Sequence, residues 1–276
     1  MIECRNLELH VAHGCNLACE SCSHYSNHAH RGMLTLTEAR RLLATWGKRL
    51  RPRQCSLLGG EPTLNPALTQ LVWLSRDSFP DSNMILVTNG FLLGRHPRLP
   101  VALWRTGAVL HVSVHHESEE YEEKLQPVRK LVADWQRRWE ITVVWRSSSS
   151  RWERRFHGYG GEMRPYDDGD SASSWRNCRS RWCLQLHEGK LWKCPAIAYL
   201  GMQQRKYGLS PDWDRYLDYK PLAPDCSDAE LNEFVNRQTE PICGMCPAQP
   251  ERFDLPNPLR RRSREERGNH IPVATR

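Results

Sequence analysis

The chain has 276 residues, 39% of them hydrophobic, eleven cysteines and a formal net charge of +7. That length supports one large core, or one core with a small appendage. An apolar run of about eighteen residues is missing, as is a charged-then-apolar leader, so neither a membrane span nor a signal peptide is expected, and a cytoplasmic protein is.

Alternation at Leu7-Glu8-Leu9-His10-Val11 marks a first strand, followed directly by GCNLACESC, with Cys15, Cys19 and Cys22 inside eight positions. Thr35-Leu36-Thr37-Glu38 is a capping box, and Leu36, Ala39, Leu42, Leu43, Trp46 and Leu50 follow at helical spacing. Ser56-Leu57-Leu58 is a short buried strand entering Gly59-Gly60-Glu61-Pro62, and Leu68, Leu71, Val72 and Leu74 mark the next helix. Met84-Ile85-Leu86-Val87 then enters Thr88-Asn89-Gly90, Val109 to Val114 forms a strand that ends at His115 and His116, and Leu125 to Trp135 is helical. Ile141 to Trp145 is a fifth strand, before Arg146. This repeat predicts an α/β fold, a partial (β/α) TIM-type barrel of five to six parallel strands with its site at the strands' C-terminal ends. A sixth strand is not evident in the Ser-, Arg-, Gly- and Asp-rich stretch 146–177. From about Trp175 the pattern changes to a hairpin, Leu184-Gln185-Leu186-His187 and Lys190-Leu191-Trp192-Lys193 flanking Glu188-Gly189. The expected division is a barrel core over 1–150, an irregular connection over 151–177, a cysteine-rich domain over 178–250 and a tail over 251–276. Much of the positive charge lies in that tail, in Arg260-Arg261-Arg262 and Arg264. It is expected to be disordered and solvated; no stripe of basic and aromatic residues accompanies it, so nucleic acid is not expected as a partner.

Nine of the eleven cysteines fall in two groups, Cys15 to Cys22 and Cys178 to Cys246. In a leaderless chain such groups bind metal more often than they form disulfides. A zinc site would need a fourth ligand near the first group, and His24, His28 and His30 are available. The favoured reading is a [4Fe–4S] cluster on Cys15, Cys19 and Cys22 whose fourth iron is left for a non-protein ligand. In the second group, Cys183 and Cys194 fall opposite each other across the hairpin, and Cys243-Gly244-Met245-Cys246 is a C-x2-C chelate. Cys4 and Cys55 read as small core residues.

The C-x3-C-x2-C loop after a first strand, Gly59-Gly60-Glu61-Pro62 after a second and Val87-Thr88-Asn89-Gly90 after a third resemble, over about 7–145, the radical S-adenosyl-L-methionine (SAM) superfamily. The resemblance implies that SAM binds the open iron, and that an electron from the cluster cleaves it to methionine and a 5′-deoxyadenosyl radical that abstracts a substrate hydrogen. It further implies that Gly59, Gly60 and Glu61 hold the SAM amino group, that Asn89, Ser113 and Arg146 contact its ribose and carboxylate, and that a donor such as flavodoxin or ferredoxin supplies the electron. Ser21 stands where the family commonly has an aromatic residue, a role for which Tyr25 is the substitute. The C-terminal cysteines resemble a Twitch or SPASM extension and imply one auxiliary [4Fe–4S] cluster on four of Cys178, Cys183, Cys194, Cys243 and Cys246, Cys178 and Cys183 competing as first ligand. Structural zinc is the alternative there, and Cys226 leaves room for a second auxiliary cluster. His115 and His116, where a barrel strand meets the cavity, are the candidates for a substrate proton.

For substrate, the first strand is expected to begin near Leu7, and no peptide-leader domain is expected ahead of the barrel. The short chain resembles the compact aminocyclitol dehydrogenases more than the long peptide maturases. The expected function is oxidation or epimerisation of a hydroxylated small molecule of sugar or aminocyclitol type. The alternatives are maturation of a ribosomal peptide and, in another class, a non-catalytic iron–sulfur regulatory module with the basic tail as its contact.

Overall fold

Strand β1 (Ile2–His10) sets the two faces of the molecule. Leu7 and Leu9 point to one side, buried with Leu42, Leu43 and Trp46 of helix α1 (Leu36–Trp46), and Asn6, Glu8 and His10 fall on the other, as the two-residue period of a strand requires. The computed structural model that shows this describes residues 1–148 and 152–260. Among them no helix is long and apolar enough to cross a membrane. Helix α1 starts where the sequence places it: Thr35 Oγ1 accepts the Glu38 N–H at 3.2 Å and the Glu38 carboxylate accepts the Thr35 N–H at 2.9 Å.

The chain then alternates β2 (Leu50–Leu58), α2 (Leu68–Ser78), β3 (Asn83–Thr88), α3 (Leu99–Thr106), β4 (Val109–Val114), α4 (Glu119–Trp139) and β5 (Val143–Ser147). These five strands are parallel neighbours in sequence order. Helix α4 is capped by Ser118 and opens on Glu119, Glu120 and Glu122, charges that suit its positive N-terminal end.

After α5 (Ser171–Asn177), the hairpin forms as β6 (Cys183–His187) and β7 (Lys190–Trp192). Its two-residue turn has φ of 50° at Glu188 and 77° at Gly189, the double positive φ that suits the twist of a hairpin. The hairpin is part of the main sheet. β6 lies parallel to β1, Asn6 opposite Cys183 through Leu9 opposite Leu186, and the sheet order is β5-β4-β3-β2-β1-β6-β7. The sixth parallel strand missing after Ser147 is therefore added beyond β1. The result is an open, mostly parallel α/β sheet, consistent with a partial barrel. Helices α6 (Pro195–Ala198), α7 (Leu200–Tyr207), α8 (Asp214–Leu217) and α9 (Asp228–Asn236) complete the chain.

Two apolar clusters hold these elements. The larger joins the sheet to α1–α4 and takes in Leu184, Leu186 and Leu191 of the hairpin and Leu231 and Phe234 of α9. Cys4 and Cys55 are buried in it. The smaller, with Tyr25, Phe156, Met163, Ile197, Tyr199 and Trp213 among its members, reaches the polar face of the sheet, where the Tyr199 ring is 4.3 Å from that of His10. The basic run from Arg261 onward lies outside the described residues; Arg260 pairs with Glu120 at 2.8 Å.

Candidate active site and cysteine groups

The chain leaving β1 packs directly on the loop after β2. Gly60 and Glu61 donate their N–H groups to the carbonyls of Ala12 and Gly14, both at 2.8 Å. A Cβ on Gly60 would lie 2.0 Å from the Gly14 oxygen, and one on Gly59 2.5 Å from that of Ala12. The two glycines are thus demanded by the chain's own backbone, whatever else approaches them. This contact fixes the start of the cysteine loop. Cys15, Cys19 and Cys22 then border one cavity of about 740 Å³, together with Gly59 and Gly60 after β2, Asn89 after β3, Ser113 of β4, His115 and Arg146 of β5. Asn89 is tied to the loop itself, its Nδ2 donating to Asn16 Oδ1 at 2.8 Å and lying 3.9 Å from Cys15 Sγ.

Three expected residues are not brought to this cavity. Glu61 is fully buried, and its carboxylate accepts from Thr63, Thr88 and Asn89, so it fastens two loops together and presents no free oxygen. His116 turns back on its own loop, where its Nδ1 accepts the Ser118 N–H at 3.1 Å. Tyr25 packs into the smaller core, stacked 5.4 Å from Phe156 with its hydroxyl on the Ala196 carbonyl at 3.1 Å, and is not a wall of the cavity.

The residues not foreseen come mainly from the returning chain. Trp152 donates to the Glu20 carbonyl, Arg154 pairs with the Glu20 carboxylate at 2.6 Å, and the Arg155 N–H donates to Ser21 Oγ at 2.6 Å. Ser21 itself has a left-handed φ of 55°. A small hydroxyl at this position therefore anchors the segment that brings Trp152, Glu153 and Arg155 to the cavity, which Arg179 also borders. Stretch 146–177 has no periodicity, and only its wealth of charged residues hinted at a role.

Burial, then the Glu61 carboxylate, pushes the Cys15 thiol up, and burial with the neighbouring thiols does the same to Cys19. Burial would also raise Cys22, but His24 overrides it and brings it below the usual thiol value. His24, which borders the cavity, is lowered by burial and raised more strongly by Cys22 and Glu8, to about 9; its Nε2 is 3.7 Å from Glu8 Oε2. His115 keeps its ring 5.7 Å from Trp152 and burial takes it down to about 4, so it is neutral near pH 7 and able to accept a proton.

In the second cysteine group Cys178, Cys194, Cys243 and Cys246 act on one another electrostatically. Cys178 follows α5, Cys194 precedes α6, and Cys243 lies within a short 3₁₀ turn (Pro241–Met245) that Cys246 directly follows, the turn being held against α5 by Ser174 Oγ, which donates to the Cys246 carbonyl at 2.9 Å. Burial, then Cys246 and Cys178, pushes Cys194 well up; burial and Cys178 raise Cys246 to about 12, against Arg155. Cys243 rises to about 11, chiefly by burial. Such thiols stay protonated until a metal ion binds, whose charge deprotonates them. Cys183 has other polar neighbours: its sulfur accepts from Asn6 Nδ2 at 3.5 Å, and burial followed by the Glu8 carboxylate, with Cys178 contributing less, holds it well up. Cys226 faces Arg49 Nη1 at 3.2 Å. Among the described residues no three His, Cys, Asp or Glu side chains converge on one metal ion, which gives the zinc alternatives no support, whereas a polynuclear cluster takes one thiolate per iron. His28 stacks on Tyr159 at 4.2 Å.

Residues 9–148, half of the chain, match the profile of the Radical SAM superfamily. The chain belongs to the radical SAM superfamily. Membership implies a [4Fe–4S] cluster and SAM, and it supports an enzyme. This radical SAM protein is similar to BtrN in complex with AdoMet and 2-DOIA, at 17% identity over 85% of this chain and 88% of that one, with a TM-score of 0.48. It is similar to native anSMEcpe with bound AdoMet and Cp18Cys peptide at 19% identity and a TM-score of 0.40, over 51% of this chain. That match spans only 42% of the length of anSMEcpe. Streptococcus suis SuiB bound to the precursor peptide SuiA gives 12% identity and a TM-score of 0.40, over 88% and 66% of the two chains. No curated protein matches.

Proposed function

We propose that this chain is a radical SAM enzyme whose cluster sits on Cys15, Cys19 and Cys22 and whose substrate is a hydroxylated small molecule, oxidised or epimerised at a carbinol carbon. The observation that carries the reading is convergence. Three cysteines of one loop meet Gly59, Gly60, Asn89, Ser113 and Arg146 around a single cavity, at the ends of five successive parallel strands where such folds keep their chemistry. In that cavity the glycine loop would face the SAM amino group, and Asn89, Ser113 and Arg146 would hold its ribose and carboxylate. Cys178, Cys194, Cys243 and Cys246 are the four thiols suited to an auxiliary [4Fe–4S] cluster. When bound, SAM and its cluster supply a hydrogen-abstracting radical, and an auxiliary cluster an electron acceptor.

The protein's own part is to bind and to move the proton. Ser21, Ser147, Ser148, Glu153 and Arg155 offer the remaining wall both donors and acceptors, a lining that suits several hydroxyl groups better than an apolar body. His115, neutral and bordering the same space, is placed to accept the hydroxyl proton. The enzyme would draw its electron from a flavodoxin or ferredoxin.

Anaerobic reconstitution followed by reduction with SAM should release 5′-deoxyadenosine, and the Cys15→Ala/Cys19→Ala/Cys22→Ala variant should not. Equal release by that variant, or none from the wild type, would overturn the enzyme reading and favour a regulatory iron–sulfur module. Deuterium from a carbinol-labelled aminocyclitol or sugar should enter 5′-deoxyadenosine. A second reading, a peptide substrate, is favoured by β5, an edge strand of the sheet to which an extended segment can add. Transfer from a labelled peptide alone would establish it.

A further inference from the structure

A second cavity, of about 680 Å³, shares no wall residue with the first. It lies between α1, the segment 31–34, the turn of the β6–β7 hairpin and α7. Its volume is in the range of small-ligand sites, and none of the motifs in the matched region accounts for it.

The walls divide by chemistry. Arg31, Arg41 and Arg205 line it, facing two carboxylates, Glu38 and Glu188. Glu38 is already engaged by Thr35, whose N–H and hydroxyl it accepts at 2.9 and 2.6 Å. Glu188 lies 3.5 Å from both Arg205 and His187. Among the described residues Arg31 and Arg41 enter no ion pair, although Glu38 interacts electrostatically with Arg41, and three guanidinium groups against two carboxylates leave the cavity with a surplus of positive charge. A second strip is apolar, made by Met33, Leu42, Leu186 and Met202.

A further observation points inward. His10, 5% exposed, lines this cavity, and among the described residues neither of its ring nitrogens has a hydrogen-bond partner. Buried polar atoms in folded proteins are nearly always satisfied, and one left without a partner costs about 1–3 kcal/mol. The His10 ring is 5.1 Å from that of His24, a wall of the first cavity. A metal ion is not favoured, since among the described residues no three suitable side chains converge.

We infer that the second cavity is a binding site for a small organic anion, its carboxylate or phosphate held by Arg31, Arg41 and Arg205, its carbon portion against Leu42, Leu186 and Met202, and a polar atom on His10. Guanidinium forks suit both oxyanions, and the apolar strip selects against a bare inorganic ion.

Calorimetric titration of the reconstituted full-length protein, with SAM present to fill the first cavity, tests this with hexanoate, hexyl phosphate and inorganic phosphate. Saturable 1:1 binding of hexanoate or hexyl phosphate is expected, about tenfold tighter than inorganic phosphate, and preference for one identifies the head group. Arg31→Gln/Arg41→Gln and the cavity-narrowing Thr45→Phe should each weaken it at least about tenfold. All three positions are exposed, and an unchanged thermal midpoint confirms the fold. No saturable binding of either alkyl anion, binding unaffected by both variants, or an equal loss in the distant exposed variant Arg95→Gln would overturn the inference.

Discussion

The Glu61 carboxylate accepts the backbone N–H of Asn89 at 2.8 Å, joining the loop after β2 to the loop after β3. Its other oxygen receives the hydroxyls of Thr63 and Thr88, each at 2.5 Å, and the Thr63 N–H at 3.0 Å. Burial still drives this carboxyl above its usual range against those donors. The acid of the Gly-Gly-Glu motif is therefore an internal clasp that sets the glycines and Asn89 relative to each other.

Glu61→Gln tests the clasp. An amide presents one oxygen and one NH2, so a donor must face either Asn89 N–H or the threonines. We expect a loss of about 2–3 kcal/mol in denaturant unfolding and SAM binding weakened about tenfold, with iron on the cysteine loop retained. A variant that unfolds and binds SAM like the wild type would refute the clasp.

Iron counting separates the two competing C-terminal thiols. In the Cys15→Ala/Cys19→Ala/Cys22→Ala background, a single auxiliary cluster leaves roughly four irons. Adding Cys178→Ala should lower that count, whereas adding Cys183→Ala should not, because Cys183 faces Asn6 and Glu8. The reverse result would exchange their roles.

Arg155 reaches from the first cavity to the second cysteine group, its Nη1 3.9 Å from Cys178 Sγ. Positive charge and hydrogen bonds at a cluster sulfur favour the reduced form. Arg155→Gln should therefore move the auxiliary potential to more negative values by tens of millivolts in an EPR-monitored redox titration. An unchanged potential would place the guanidinium outside the cluster's field.

Acid should weaken the fold through His10. Burial holds its folded pKa well below the ordinary 6.5, and the charges of His24, His13 and His187 act the same way. The folded state thus binds fewer protons than the unfolded one, so this contribution is complete above about pH 6.5 and is lost as pH falls through that value. His10→Phe removes one such proton, and its stability should fall less steeply than the wild type's between pH 6.5 and 5, by at most about 1.4 kcal/mol per pH unit. Parallel curves from urea unfolding would refute this.

Local signals announced local structure. The Thr35–Glu38 box, the five strands and the Glu188–Gly189 turn are all settled within a few residues of chain, and each was legible. Helix α3 escaped notice because it has eight residues and opens on Leu99-Pro100, too short to show a period. What the sequence could not display was tertiary pairing. Strand alternation does not say which partner a strand will find, so the addition of β6 to β1 was hidden, and with it the reason Cys183 meets Asn6. The same limit concealed Glu61's donors, Tyr25's place in the core and Arg155's approach to Ser21, all contacts between segments distant in the chain.

The pairing of β1 with β6 also bears on how the polypeptide is made. The first strand emerges from the ribosome with β2 following closely on one side, but its other edge is matched only by residues 183–186. Until those arrive, a row of backbone donors and acceptors beside Leu7 and Leu9 stands open, the kind of edge on which chains self-associate. A nascent or truncated product ending near residue 150 would carry every motif of the superfamily and still be sticky. Closure of the last long-range ladder, with its high contact order, is then the slow event of folding, and it waits for the cysteine-bearing hairpin.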